Sequence, residues 1–244
     1  MGQVKLIVSN WKMNLDGKQA TRLINNLLKL EKSYPNFKNI VCPQFMLIPL
    51  VSKMLKKNNI FIGSQDCHFL NDGAYTGDTS LKLLKENNCK YVIVGHSERR
   101  QYHQETDSIV RKKVEHILSN NLKPIVCVGE SLNKRKSKKY EDFLKKQLEN
   151  CIPGNQNHII IAYEPVWSIG TGLVPTFSEI NEIYNLTKFF LKKTKNIKDF
   201  HFLYGGSVNS KNFKEILDNT HVDGALIGGS SLNFIEMKKI LTNC

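Results

Sequence analysis

The chain has 244 residues, of which 41% are hydrophobic and 23% are charged, and its formal net charge is +13. No apolar run approaches the ~20 residues of a membrane-spanning helix, so the composition argues against a helical membrane protein and predicts a soluble globular one. The six cysteines form neither a C-x-x-C pair nor a Cys/His cluster at metal spacing, so we expect reduced, structural cysteines, no metal site and no disulfide framework.

Eight short apolar runs are predicted strands, and the stretches between them carry apolar residues at helical spacing. The runs are residues 4–9, 40–42, 60–63, 91–94, 124–128, 159–163, 202–204 and 225–227. Eight strand and helix units in about 245 residues are typical of a closed parallel (β/α)8 barrel, which is an α/β fold. No linker or change of composition divides the chain, so we expect a single domain over residues 1–244.

The N-terminus and the basic residues bear on location and partners. The first strand begins almost at Met1, which leaves no room for the apolar segment of a signal peptide, so we expect a cytoplasmic protein. The densest basic run, residues 134–139, has no interleaved aromatic residue. We interpret it as a solvated loop and helix start and expect no nucleic-acid partner, although its positive field would attract small anionic substrates.

Polar side chains follow most of the predicted strands, and in a barrel the carboxyl ends of the strands meet on one face. They are Asn10 and Lys12 after the first strand, Gln65 after the third, His96 after the fourth, Glu130 after the fifth and Glu164 after the sixth. Taken singly, Glu164 could be a solvated strand end, His96 a structural histidine and Lys12 a surface charge. Their position on one face favours a shared catalytic pocket.

The segment after the sixth strand is a predicted lid over that pocket. Pro165 removes a backbone donor and forces the chain out of the sheet directly after Glu164. Trp167 and its apolar neighbours give the segment an inner surface that can cover a ligand, while Gly170 and Gly172 widen the choice of backbone conformations. A carboxylate beneath a lid is a candidate general base.

Two glycine-rich turns follow the last two strands. Their sequences are Gly205-Gly206-Ser207-Val208 and Gly228-Gly229-Ser230-Ser231. Backbone N–H groups at such positions frequently hold a phosphate in (β/α)8 barrels. The sequence therefore predicts a small phosphorylated metabolite as the ligand.

Seven motifs along the chain resemble, in order, the motif set of the triosephosphate isomerase family. They are Asn10-Trp11-Lys12-Met13-Asn14, Gly73-Ala74-Tyr75-Thr76-Gly77, Val94-Gly95-His96-Ser97-Glu98-Arg99-Arg100, Tyr163-Glu164-Pro165-Val166-Trp167, Ile169-Gly170-Thr171-Gly172, Tyr204-Gly205-Gly206-Ser207-Val208 and Leu226-Ile227-Gly228-Gly229. The similarity runs from about residue 7 to residue 234. It implies a TIM barrel that interconverts dihydroxyacetone phosphate and D-glyceraldehyde 3-phosphate through an enediol(ate), in glycolysis and gluconeogenesis.

The resemblance also implies the catalytic roles, with no metal and no organic cofactor. Glu164 would be the base that shuttles a proton between the two carbons. His96 would polarise the carbonyl as a neutral imidazole whose pKa is lowered by a helix N-terminus. Lys12 and Asn10 would bind the substrate and stabilise the developing oxyanion.

Substrate binding and assembly follow from the same resemblance. The N–H groups of Gly170, Ser207, Gly228 and Gly229 would hold the phosphate, and Lys12 would offset its charge. The loop of residues 73–78 implies a homodimer, because in the family this loop enters the partner subunit near its active site.

The chain departs from the commonest family pattern at several positions. Ser168 stands where alanine is usual in the lid, and Gln44, Asp78 and Ser230 are further departures; we expect none of them to touch the chemistry. His201 replaces the usual arginine, and we expect it to pair with Asp223 and to have a raised pKa as a result.

The far hinge of the lid departs as well, with Leu173-Val174-Pro175 in place of Lys-Thr-Ala. Pro175 fixes its own φ and restricts Val174, so we expect the lid movement to fall on residues 170–173. The helix that follows would then have Thr176 or Ser178 as its N-cap.

Two other functions use the same residues. A barrel aldolase would use Lys12 as a Schiff-base nucleophile, which borohydride trapping with a ketose phosphate would reveal. A basic barrel that binds nucleic acid or a protein and has lost catalysis would be expected to carry changes at Asn10, Lys12, His96 or Glu164. All four residues are intact.

Overall fold

The computed structural model describes residues 4–30, 37–55 and 59–242. Eight parallel strands close into a barrel and follow one another around it in chain order, with the last strand pairing with the first. The strands are β1 Lys5–Asn10, β2 Phe37–Cys42, β3 Ile60–Ser64, β4 Cys89–Val94, β5 Lys123–Val128, β6 His158–Tyr163, β7 Asp199–Tyr204 and β8 Gly224–Ile227. The predicted (β/α)8 barrel is confirmed, since each predicted apolar run falls on one of these strands.

Helices connect the strands and cover the outside of the barrel. Those in the described ranges are α1 Gly17–Leu30, α2 Ile48–Met54, α3 Leu81–Glu86, α4 Ser97–Tyr102, α5 Asp107–Ser119, α6 Leu132–Lys136, α7 Tyr140–Cys151, α8 Phe177–Lys193, α9 Phe213–Asn219 and α10 Phe234–Thr242. Short 3-10 turns lie at Phe45–Leu47, Val166–Ser168 and Gly229–Leu232. Among the described residues, no helix has the length and apolar character needed to cross a membrane.

The sheet is buried on both faces, which is why its strands are nearly continuous apolar runs. In β6, Ile160 and Ala162 belong to the cluster inside the barrel, whereas Ile159, Ile161 and Tyr163 belong to the cluster between the sheet and the helices. This alternation is the two-residue period of a strand. The barrel interior is therefore a packed core, and the space available to a ligand lies at its carboxyl end.

The described cysteines are free and buried, in agreement with their predicted structural role. They are Cys42, Cys67, Cys89, Cys127 and Cys151. Burial raises the pKa of Cys89 to about 12, so this thiol stays protonated at neutral pH. Cys244 lies outside the described residues.

Candidate active site

A cavity of about 300 Å³ lies at the carboxyl ends of the strands. Each residue predicted to act in catalysis or in substrate binding lines it. The predicted set consists of Asn10, Lys12, His96, Glu164, Gly170, Ser207, Gly228 and Gly229. The common face inferred from the strand ends is therefore a common pocket.

Glu164 follows the last residue of β6 and is only 2% exposed. Its N–H donates to the carbonyl of Val128 at 2.7 Å, which continues the pairing with β5 beyond the strand. Glycines on both sides make room for this position. A Cβ on Gly129 would lie 1.7 Å from the Glu164 carbonyl oxygen, and one on Gly205 would lie 2.8 Å from Glu164 Cγ. Larger residues there would displace the carboxylate.

The Glu164 carboxylate is held by two donors in the pocket wall. Its Oε1 lies 3.0 Å from His96 Nε2, and its Oε2 accepts the Ser97 N–H at 3.1 Å. Burial raises the pKa of the Glu164 carboxyl, but His96 and the Ser97 N–H lower it by more, and the net shift is downward. Glu164 is therefore ionised at neutral pH, as a general base must be.

His96 is the N-cap residue of α4. Its Nδ1 accepts the Glu98 N–H at 3.2 Å, so the proton of the neutral ring lies on Nε2, which points at Glu164. Burial lowers the pKa of His96, whereas the Glu164 carboxylate raises it by more, so the net shift is upward. The lowered pKa that the resemblance implies is thus opposed by Glu164 while the two side chains are bonded.

Lys12 has a strained backbone, with a φ of 51° that few residues other than glycine adopt. Two neighbours hold it there: Asn10 Oδ1 accepts the Lys12 N–H at 3.0 Å, and Gln65 Nε2 donates to the Lys12 carbonyl at 2.8 Å. The ammonium group forms an ion pair with Glu98 at 2.6 Å. A Cβ on Gly228 would approach Lys12 Cε to 3.2 Å, so a glycine there leaves room for the lysine.

The glycine-rich turns form the opposite wall of the cavity. The 3-10 turn Gly229–Leu232 starts directly after Gly228, and the loop after β7 presents Ser207. On the lid, Gly170 has a φ of 69° and an added Cβ would meet nothing within 4 Å, so this part of the lid faces open space. The Ser207 N–H donates to the Ser168 hydroxyl at 3.3 Å. Ser168 thus bonds a residue that lines the cavity, and its lack of a part in the chemistry stays a prediction.

A buried polar network fastens the first turn of the lid. Trp167 Nε1 donates to Glu130 Oε1 at 3.2 Å, and the same oxygen accepts from Tyr163 and Arg135. Arg135 also stacks on Tyr140 at 4.0 Å from the ring centroid. The sequence reading of residues 134–139 as solvated holds for the exposed lysines but is wrong for Arg135, which the carboxylate beneath the lid draws inward.

The ring nitrogens of His201 contact groups other than the Asp223 carboxylate expected for it. It lies at the opposite end of the barrel, where its Nδ1 is 2.7 Å from His158 Nε2 and its Nε2 is 3.1 Å from the Val4 carbonyl. Asp223 instead accepts the Phe202 N–H at 3.0 Å. Burial lowers the pKa of His201 by more than these neighbours raise it, so the predicted upward shift is wrong.

Glu98 is a site residue that the sequence reasoning did not single out. Its carboxylate bonds Lys12, and its N–H fixes the proton of His96. The sequence offered one signal, because Glu98 stands two residues after a predicted catalytic histidine at a helix start. The contact with Lys12 joins residues 86 positions apart, and no local pattern predicts it.

Comparison with known proteins identifies the family. A sequence model of the triosephosphate isomerase family matches residues 5–244. A triosephosphate isomerase of Alkaliphilus oremlandii is 40% identical over 243 residues, covering 97% of this chain and 98% of that protein. One of Dictyoglomus thermophilum is 39% identical over 93% of this chain and 94% of that protein.

Solved structures lead to the same family. A crystal structure of triosephosphate isomerase from Bartonella henselae matches with a TM-score of 0.86 and 38% sequence identity, covering 98% of each chain. The similarity thus extends over nearly the full length of both chains. The chain belongs to the triosephosphate isomerase family.

Proposed function

We propose that this pocket interconverts dihydroxyacetone phosphate and D-glyceraldehyde 3-phosphate, with Glu164 as the base and His96 as the electrophile. One observation carries the proposal: an ionised carboxylate, an imidazole N–H and an ammonium group line one cavity together with two glycine-rich turns. The σ bonds that break in this reaction are C–H and O–H bonds, while the C=O π bond moves from one carbon to the other, so positioned acids and bases suffice for it.

The proton is transferred in two steps. The Glu164 carboxylate takes a proton from C1 of dihydroxyacetone phosphate, and the C–H electron pair becomes the double bond of an enediolate. The carbonyl oxygen takes the negative charge, which the His96 N–H and the Lys12 ammonium stabilise. Glu164 then returns the proton to C2, and the oxygens exchange a proton through His96. Before this, Glu164 has to leave His96 and Ser97, whose N–H groups bind it at 3.0 and 3.1 Å.

The phosphate is bound by backbone N–H groups and one cation. Gly170, Ser207, Gly228 and Gly229 supply the N–H groups, and Lys12 supplies the charge. Closure of the lid over this end excludes water, which strengthens these interactions and protects the enediolate from losing phosphate.

Substitution of the base tests the proposal. Glu164→Gln is expected to fold normally and to lower kcat by about 10²- to 10⁴-fold, because an amide cannot accept the carbon-bound proton. The measurement is an isomerase assay coupled to a triose-phosphate dehydrogenase. Glu141→Gln is the control, since Glu141 pairs only with Lys145 on an exposed helix face, and this variant should keep full activity. Near-normal turnover by Glu164→Gln would refute the assignment.

An aldolase that uses Lys12 as a Schiff-base nucleophile is disfavoured by the charge around that residue. A Schiff-base lysine needs its amino group free to attack a carbonyl carbon, whereas the Lys12 amino group is engaged by the Glu98 carboxylate at 2.6 Å. Borohydride with a ketose phosphate is therefore expected to leave Lys12 unmodified.

We further propose that the protein is a cytoplasmic homodimer assembled through the loop of residues 73–78. Support comes from apolar side chains that are exposed after neighbouring strands: Met13, after β1, is 87% exposed, and Met46, after β2, is 90% exposed. Tyr75 in the loop stacks on His68 at 4.1 Å, which gives the loop a preformed shape. A second copy covering this surface would bury side chains that are otherwise costly to leave in water.

A further inference from the structure

Ser168 is a fully buried serine at the start of the lid, and its hydroxyl group has three partners. Its Oγ donates to the Leu173 carbonyl at 2.5 Å, lies 3.1 Å from the Tyr204 hydroxyl and accepts the Ser207 N–H at 3.3 Å. These partners belong to the far end of the lid, to the end of β7 and to the loop after β7. A single hydroxyl thus joins both ends of the lid to the wall of the cavity.

These three contacts use the whole bonding capacity of the hydroxyl, which can donate one hydrogen bond and accept two. The Leu173 carbonyl can only accept, so it takes the Ser168 hydrogen. The Ser207 N–H can only donate, so the second acceptor position of Ser168 is left for the hydroxyl of Tyr204. Loss of any of these bonds would leave one partner without its hydrogen bond to Ser168.

Further hydrogen bonds connect Ser168 and its neighbours to the rest of the lid and to the loop after β7. Inside the lid, the Thr171 hydroxyl donates to the Trp167 carbonyl at 3.0 Å and accepts the Leu173 N–H at 3.2 Å. A second bond joins the lid to the loop after β7: the Ser207 hydroxyl donates to the Ser168 carbonyl at 2.6 Å. The two bonds between Ser168 and Ser207 differ in one respect: the Ser168 hydroxyl uses the backbone N–H of Ser207, a residue that lines the cavity, whereas the Ser168 carbonyl uses the Ser207 hydroxyl.

A glycine keeps the space around the hydroxyl open. A Cβ on Gly206 would lie 2.2 Å from the Tyr204 hydroxyl oxygen and 2.7 Å from Ser168 Oγ. Any other residue at position 206 would push the two hydroxyl groups apart. The bonded arrangement around Ser168 therefore depends on the glycine-rich turn that also lines the cavity.

We propose that Ser168 is a positioning residue whose hydroxyl competes with the substrate phosphate for the N–H of Ser207, so that phosphate binding unfastens the lid. The inference rests on the proposed function, in which that N–H binds the phosphate. An N–H has one hydrogen to donate, and a charged phosphate oxygen is a stronger acceptor than a hydroxyl. Phosphate binding thus breaks one of the two bonds between Ser168 and Ser207, and loss of phosphate at the end of turnover restores it.

Replacement of the hydroxyl gives the test. Ser168→Ala adds no atoms and frees the Ser207 N–H, so it should bind inorganic phosphate about three- to tenfold more tightly than the wild type, the factor expected from one modest hydrogen bond. Isothermal titration with inorganic phosphate measures this. Hydrogen exchange of the Ser207 amide should be slow in the wild type without phosphate and faster in Ser168→Ala.

Thr171→Val is the matched control. It removes a lid hydroxyl that bonds only within the lid, so it loosens the lid without freeing the Ser207 N–H, and phosphate affinity should stay at the wild-type value. Equal tightening in Thr171→Val and Ser168→Ala would overturn the inference in favour of a general loosening of the lid.

The outcomes separate this inference from the function beneath it. Wild-type protein without isomerase activity would overturn the proposed function and the inference with it. Active wild type together with a Ser168→Ala variant that binds phosphate no more tightly would overturn the inference alone. Should Ser168→Ala fail to fold, the wild-type measurement decides, because rapid exchange of the Ser207 amide without phosphate would show that Ser168 does not hold it.

Discussion

Glu164 and His96 shift each other's pKa in the pocket. The carboxylate raises the pKa of His96 against the effect of burial, and His96 helps to lower the pKa of Glu164 against the same effect. Glu98 contributes in the same direction from the other side of the ring, where its Oε2 lies 3.6 Å from Nδ1. In the proposed reaction Glu164 leaves His96 for a substrate carbon. His96 would then lose the first of these influences and have a lower pKa, which suits a neutral imidazole that donates to an oxyanion.

This coupling predicts a pKa change in a variant. Glu164→Gln should lower the pKa of His96, because the charge that raises it is gone while burial, which lowers it, remains. Glu98→Gln should lower it by less, because Glu98 is more exposed and bonds Lys12 as well. Histidine NMR titration of the three proteins measures the order. An unchanged His96 pKa in Glu164→Gln would contradict the coupling.

The start of α8 limits where the lid can bend. Thr176 is the N-cap of α8 and forms a capping box with Glu179, in which each residue's side chain bonds the other's backbone N–H. This resolves the choice between Thr176 and Ser178, and it anchors the chain directly after Pro175. Gly170 and Gly172 have positive φ values of 69° and 79°. That the lid movement falls on residues 170–173 stays a prediction, which the anchored helix start supports.

At the other end of the barrel, a histidine pair links β6, β7 and the residue before β1. The Val4 carbonyl can only accept, so His201 Nε2 carries a proton, and His201 Nδ1 accepts from His158 Nε2. Protonation of His201 would put two N–H groups face to face. Burial is the main cause that lowers the pKa of both rings; Lys123 adds to it, while Asp199 and Asp223 oppose it.

The pair should make stability depend on pH. Because the folded pKa values lie below the unfolded value of about 6.5, the unfolded chain binds more protons between these values. The pair's contribution to the free energy of unfolding is therefore complete above about pH 6.5 and is lost as the pH falls through the folded values.

Denaturant unfolding at pH 7.5 and pH 5 measures this effect. His201→Gln should lose less stability than the wild type between the two pH values, because glutamine does not titrate. His103→Gln is the control, since it removes an exposed histidine that lies outside the pair. Equal losses in wild type and His201→Gln would refute the prediction.

At the scale of the whole molecule, the proposed dimer would cover apolar side chains that are exposed among the described residues. Leu70, Tyr75 and Tyr102 are exposed in addition to the two methionines near the proposed interface. The interface loop follows β3, and its tip at Gly77 has space for other atoms, since an added Cβ would meet nothing within 4 Å. In the proposed dimer, a partner's loop in the corresponding place would add support to Asn10 and to Lys12, whose backbone has a positive φ.

Dissociation is the corresponding prediction at this scale. Tyr75→Glu should shift the protein toward monomers and reduce activity, because a buried unpaired carboxylate destabilises the interface. Phe189→Glu changes an apolar residue that is 66% exposed on α8, and it should leave assembly unchanged. Analytical ultracentrifugation with activity measurements compares them. A wild-type protein that is a fully active monomer at nanomolar concentration would refute the dimer.

The sequence by itself determined the barrel, the order of its strands and the family. Apolar periodicity and strand ends are local properties, so they place Glu164 and His96 on one face without any contact being known. The starts of β2 and β7 were missed because polar residues interrupt their apolar runs. One of these residues, Asn39, is fully buried although its residue type predicts exposure. In a barrel, neighbouring strands bury such positions whatever their polarity.

Only the tertiary structure decided which side chains meet. Arg135, within a basic run, donates to Glu130. A ring nitrogen of His201 contacts His158, and the Ser168 hydroxyl accepts the Ser207 N–H. The last two contacts join residues 43 and 39 positions apart. A charge or hydroxyl takes the partner that the packed backbone brings within about 3 Å, and distance in space between such residues does not follow from their spacing in the sequence.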